Sequence, residues 1–219
     1  MKGERTLTQA VIFDLDGTLL DTLDDLAAAV NHALQTCGYP IRTRDEVRQF
    51  LGNGVIMLMH RAMPQGVSQA AFDTCFSCFR AYYLSHMTDQ TRVFPGISDL
   101  LQALHDRGIR TAVVSNKLHA GVVGLCNDYF GDLIDCARGV SDESERKPAP
   151  VNVLRAMETL GVAKENTLYV GDSEVDMQTA QNAGLPCIGV TWGYRDGDLL
   201  RQNGAAALID TPLQLLECL

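Results

Sequence analysis

Positive charge is in short supply in this chain. Its 219 residues carry 18 Lys and Arg against 27 Asp and Glu, a formal net charge of −9. The overall field therefore repels nucleic acid and anionic lipid surfaces. A nucleic-acid partner is disfavoured, and an anionic substrate would need a local cluster of cations or a metal ion to draw it in. Long apolar runs are also missing. The run that follows Lys2 and Arg5 is broken by Asp14 and Asp16, which neither a signal peptide nor a membrane span tolerates. The expectation is a cytoplasmic protein with no membrane partner. There is no internal repeat or low-complexity tract, and with 46% hydrophobic and 21% charged residues disorder is not expected. A metal-type cysteine set is absent as well. The seven cysteines are odd in number and scattered, and Cys75 and Cys78 have neither a second CxxC nor a close His pair to complete four ligands. Reduced thiols packed in the core are expected.

What is present is organised around Ala10-Val11-Ile12-Phe13-Asp14-Leu15-Asp16-Gly17-Thr18. Val11 to Phe13 form a short β-branched and aromatic run, the signature of a buried strand. It ends in acid: Asp14 and Asp16 are two residues apart, so on a continuing strand they leave on one face, where two carboxylates repel. Something positive should lie between them. Gly17 lets the chain turn sharply, and Thr18 can cap or bind an oxygen ligand.

Residues 19–91 then read as helical, with apolar residues at three- and four-residue spacing from Leu23 to Cys37 and a capping-box pattern at Thr43 and Glu46. No convincing strand interrupts this block. From Pro95 the pattern alternates, with strands expected over 109–114, 133–137, 167–170, 186–190 and 207–209 and helices between them, the one before the fourth of these over 178–183. Alternating β-branched strands and helices indicate a parallel sheet covered on both faces. The expected fold class is α/β: a Rossmann-like parallel-sheet core built from residues 1–18 and 92–219, with an α-helical cap domain, 19–91, inserted into it. In such sheets ligands sit beyond the carboxyl ends of the strands. Those ends carry Asp14 and Asp16, then Ser115, Asn116 and Lys117, then Asp172, Ser173 and Asp176, with Lys147 just before a helix. Carboxylate oxygens suit Mg²⁺, and Lys and Ser suit phosphoryl oxygens.

The ordered set Asp14-Leu15-Asp16-Gly17-Thr18, Ser115-Asn116, Lys147-Pro148 and Gly171-Asp172-Ser173-Glu174-Val175-Asp176 resembles the haloacid dehalogenase superfamily of phosphohydrolases over nearly the whole chain. Val47 to Gly54, Phe94-Pro95-Gly96, Ser115-Asn116-Lys117 and Thr191 to Arg195 are similar to its phosphoglycolate phosphatase branch. The resemblance implies a Mg²⁺-dependent phosphatase acting on a small anionic phosphate ester, 2-phosphoglycolate first, through an aspartyl phosphate. It makes Asp14 the nucleophile, Asp16 the general acid and base, and Lys147 the catalytic cation. It places Mg²⁺ on Asp14, the Asp16 carbonyl and Asp172, with Asp176 bound or nearby, and substrate on Thr18, Ser115 and Asn116.

Plainer readings stand beside these. Lys147 could be a solvated loop lysine, Asp176 a helix cap, and Ser115 a strand end without a ligand; Lys117 and Glu174 read as surface charges, and the five histidines as satisfied helix or surface residues. In the cap, Arg48 and Gly52-Asn53-Gly54 are candidates for the far end of the substrate, against a surface Arg and a helix stop. A phosphosugar phosphatase, a pyrophosphatase, a phosphoglucomutase-type transferase and a binding protein without turnover are the rival functions. Monomer and homodimer are both left open.

Overall fold

The computed structural model describes residues 7–219; the first six residues of the expected 1–18 core segment lie outside it. Strands are β1 (Ala10–Phe13), β2 (Leu20–Asp21), β3 (Arg92–Val93), β4 (Arg110–Leu118), β5 (Cys136–Val140), β6 (Thr167–Gly171), β7 (Cys187–Val190) and β8 (Ala207–Ile209). Helices are α1 (Leu23–Thr36), α2 (Arg44–Phe50), α3 (Gly54–Ala62), α4 (Gln69–His86), α5 (Ile97–Asp106), α6 (His119–Phe130), α7 (Val151–Leu160), α8 (Glu174–Ala183) and α9 (Gly197–Gln202). The chain divides into two compact units, 1–19 with 93–219 and 20–92.

The larger unit holds a six-stranded sheet in the order β5-β4-β1-β6-β7-β8. Its pairings are parallel, which is the α/β class the alternating pattern predicts. All four residues of β1 are buried, as a central strand with helices on both faces requires. One sheet face packs Ile12, Val114 and Tyr169 against Val153 and Met157 of α7 and Met177 and Ala180 of α8. The chain leaves β1 toward β4 and β5 on one side and later fills β6, β7 and β8 on the other. That reversal opens a crevice at the carboxyl end of β1.

Strand β4 is longer than its apolar run predicts, and its pairing with β5 slips. Val114 stands opposite Arg138 and Leu118 opposite Val140, so four steps along β4 match two along β5. The surplus residues form a bulge through Ser115, Asn116 and Lys117. Gly139 makes room for it, because a Cβ there would lie 2.5 Å from the Lys117 carbonyl oxygen. Helix α8 begins four residues before the apolar pattern does, because Ser173 and Asp176 form a capping box.

The unit 20–92 is helical. Leu26, Val30 and Leu34 of α1 are buried with Phe72, Cys75 and Phe79 of α4, and Thr43 and Glu46 form the expected capping box. The buried carboxylate of Asp25 accepts bonds from the Gln90 and Thr91 amides and the Thr91 hydroxyl. Contrary to expectation, a strand follows Leu19: two-residue β2, which pairs with β3 and is too short to carry a period. The thiol reading needs correcting in part. All seven cysteines are free, but only Cys75, Cys126 and Cys187 are buried, and Cys218 is exposed. No described helix is long and apolar enough to cross a membrane.

Candidate active site

Three strand ends and one loop deliver the charged groups. The Asp14 amide continues the ladder to Val170, so its side chain leaves the sheet edge in a fixed direction. Its Oδ1 accepts the Leu15 amide at 2.7 Å and lies 2.8 Å from Lys147 Nζ. That same ammonium reaches Asp176 Oδ1 at 2.7 Å, with the lysine side chain only 3% exposed. The solvated-loop reading of Lys147 is thereby overturned. Burial alone would lower the Lys147 pKa, but the Asp14 and Asp176 carboxylates more than reverse this and hold it well above the ordinary value.

Asp176 is the most heavily bonded acid of the group. Its Oδ1 also accepts from the Tyr169 hydroxyl at 3.2 Å. Its Oδ2 accepts from the Ser173 amide at 3.1 Å and hydroxyl at 2.6 Å. It thus caps α8, as the plainer reading has it, and anchors Lys147 at once. Gly171 lies so close that a Cβ would fall 2.4 Å from Asp176 Cβ.

Asp172 follows β6. It accepts the Tyr194 amide at 2.7 Å and the Thr18 hydroxyl at 3.3 Å. Thr18, expected on the substrate, is fully buried with its hydroxyl turned to this carboxylate. Two glycines close on Asp172 from opposite segments. A Cβ on Gly17 would meet Asp172 Oδ2 at 2.4 Å, and one on Gly193 would meet Asp172 Cβ at 2.3 Å. Gly17 also has φ +91°, which L side chains avoid. Burial pushes the Asp172 pKa up to about 7, with the charge of Asp176 next in effect. Burial, then Asp176, raises Asp14 well above its ordinary value.

The bulge in β4 sets the remaining groups. Ser115 is buried and its hydroxyl accepts the Lys117 amide at 3.2 Å. The Asn116 side chain clamps the Lys147 backbone, accepting its N–H at 2.7 Å and donating to its carbonyl at 3.3 Å. Lys117 is not a surface charge. Its ammonium lies 3.2 Å from Asp16 Oδ1, and its side chain is 7% exposed. The sequence hides this because the pleat of an unbulged strand gives no reason to turn position 117 inward. Tyr169 likewise reads in the sequence as one apolar position of a buried strand. Glu174 forms an ion pair with Arg195 at 3.0 Å.

Within the unit 20–92, Gly52 and Gly54 adopt positive φ, 108° and 79°. The Asn53 side chain is engaged by Arg61 at 2.7 Å. Arg48 lies in α2 and its carbonyl accepts the Leu51 amide.

The donor set fits a hard divalent cation. Carboxylate oxygens of the buried Asp14, Asp172 and Asp176 lie within 4.8 Å of one another. Lys147 pairs with Asp14 and Asp176 and Lys117 with Asp16, while burial, then the charge of Asp176, raises Asp14 and Asp172. A cation bound to oxygens relieves that imbalance.

The family model that matches residues 11–190 is that of the haloacid dehalogenase-like hydrolases. The chain belongs to this family. It is 35% identical to the phosphoglycolate phosphatase of Pseudomonas putida KT2440 over 96% of this chain and 79% of that protein. It is 34% identical to phosphoglycolate phosphatase 1 of Pseudomonas aeruginosa PAO1, over 97% and 80%. A crystal structure from Lactobacillus delbrueckii subsp. bulgaricus, whose phosphoglycolate phosphatase assignment is itself a prediction, superposes with a TM-score of 0.91 at 34% identity, covering 97% of this chain and 98% of that one. The chain is accordingly a phosphoglycolate phosphatase-like enzyme of the hydrolase family.

Proposed function

We propose that this enzyme hydrolyses a small phosphomonoester, with 2-phosphoglycolate the leading substrate, through a phosphorylated Asp14. The observation that carries the reading is Lys147, whose single buried ammonium joins Asp14 to Asp176 beside the oxygens of Asp172. The named activity of the Pseudomonas relatives supports the choice of substrate.

Asp14 attacks phosphorus, and the ester oxygen leaves with a proton from Asp16. Asp16 then takes a proton from the water that cleaves the aspartyl phosphate. Lys147 neutralises the nucleophile and the incoming phosphoryl oxygens without being consumed, and Asp176 and Tyr169 fix where its charge sits. Asn116 fixes the backbone that carries it. Ser115 and the Asn116 amide bind phosphoryl oxygen, while Thr18 and Gly193 orient Asp172. Asp14, the Asp16 carbonyl and Asp172 would hold Mg²⁺, which would supply positive charge against which two anions can meet; Asp176, already accepting from four donors, would act at one remove.

The test is a panel of phosphomonoesters assayed with and without Mg²⁺ and ranked by kcat/KM. The expected result is Mg²⁺-dependent turnover with 2-phosphoglycolate at the head, abolished by Asp14→Asn. Turnover retained by that variant overturns the nucleophile, and a phosphosugar at the head overturns the substrate.

A further inference from the structure

We propose that Lys117 is a specificity-determining residue. Its ammonium receives an anionic group one carbon away from the ester oxygen, so the site is built for 2-phosphooxy carboxylates rather than for phosphate esters of neutral alcohols. This rests on the phosphomonoester reading and narrows it.

Three features of the core unit place that charge. The bulge in β4 carries Ser115, Asn116 and Lys117 out of register with β5, and Gly139 is the residue that lets the Lys117 backbone descend. The stem of Lys117 lies along the first turn of α6, its Cδ 3.5 Å from where a Gly121 Cβ would stand. Its ammonium ends 3.2 Å from Asp16 Oδ1. Asp16 is the residue that hands its proton to the leaving oxygen, so a group touching Asp16 stands beside the leaving group. Lys147, in contrast, contacts Asp14 and Asp176 and serves the phosphoryl side. The two lysines thus divide the site: one faces the phosphorus, the other the alcohol.

An ammonium has three protons to donate, so contact with Asp16 does not preclude contact with an anion. In 2-phosphoglycolate a single methylene separates the ester oxygen from the carboxylate. A cation at hydrogen-bond distance from the proton donor spans that gap. A sugar phosphate or an alkyl phosphate offers a neutral hydroxyl or methyl group at the same place and forgoes the charge-assisted hydrogen bond that a carboxylate makes there, which is how the site discriminates.

The experiment compares Lys117→Met with the wild-type enzyme on 2-phosphoglycolate and on ethyl phosphate, which has the same chain without the carboxylate. Both proteins are checked for equal unfolding midpoints in urea. The expected result is a fall in kcat/KM on 2-phosphoglycolate that exceeds the fall on ethyl phosphate by about 10-fold or more, the part common to both substrates coming from the lost Asp16 contact. Lys117→Arg, which keeps the charge, should restore part of the preference. Equal losses on both substrates overturn the proposal, since Lys117 would then act only through Asp16 or through the fold. An unchanged preference in Lys117→Met also overturns it. If the wild-type enzyme itself does not prefer 2-phosphoglycolate to ethyl phosphate, the substrate reading fails first.

Discussion

Gly17 and Asp172 are packed so tightly that a methyl group on the glycine would lie 2.4 Å from a carboxylate oxygen. Glycine is therefore required at position 17 twice over, by space and by its φ of +91°. Gly17→Ala should destabilise the fold by about 1–3 kcal/mol and weaken Mg²⁺ binding by displacing Asp172. Urea unfolding and calorimetric Mg²⁺ titration read the two effects separately. An alanine variant with wild-type Mg²⁺ affinity would show that Asp172 is not where the ion binds.

The crowded acids make stability depend on pH in an unusual sense. Burial holds the Asp172 pKa at about 7, above the ordinary 3.8 of an exposed aspartate. Between those values the folded protein keeps a proton that the unfolded chain has lost. Stability therefore falls as pH rises through this window. In EDTA, Asp172 alone should remove about 1 kcal/mol between pH 6 and pH 8, and Asp14, shifted in the same direction, should add to the loss. Mg²⁺ held by the ionised acids, as proposed above, should flatten the slope. A urea midpoint in EDTA that rises with pH over this range would contradict the arrangement.

Asn116→Ala removes two hydrogen bonds to the Lys147 backbone without touching the Lys147 side chain. It should cost about 1–3 kcal/mol of stability and lower kcat more than it raises KM, because the displaced charge serves the phosphoryl group in transit. Asn116→Asp keeps the acceptor for the Lys147 N–H and should recover part of the rate. A variant with full kcat would confine Asn116 to a packing role.

Much of the core was legible because its signals are local or periodic. The apolar run of β1 ending at Asp14, the strand of β6 ending at Asp172 and the Thr43 and Glu46 capping pattern each follow from neighbours in sequence. Asp14, Lys147, Asp172 and Asp176 could be grouped because parallel strands deliver their carboxyl ends to one edge. What escaped depends on partners distant in the chain. The inward turn of Lys117 is caused by a bulge that needs Gly139, and the packing of Gly17 and Gly193 on Asp172 joins segments no spacing connects. Helix α8 begins at Glu174, ahead of its apolar pattern, because its first turn is a polar capping box of Ser173 and Asp176. The Asp176 bond to the Ser173 amide shows that a carboxylate can serve a helix start and an ion pair together. Strand β2 is two residues long and α9 six, too short for either period to register.

The order of strands has a consequence for how the molecule comes off the ribosome. Ala10 precedes the whole of 20–92 in the chain, yet it pairs with Arg110 on one side and Thr167 on the other. The nascent chain must carry that apolar strand unpaired while the whole of 20–92, with its own buried side chains, is completed behind it. The helical segment is thus free to fold first, and the catalytic edge is assembled only once β6 has emerged.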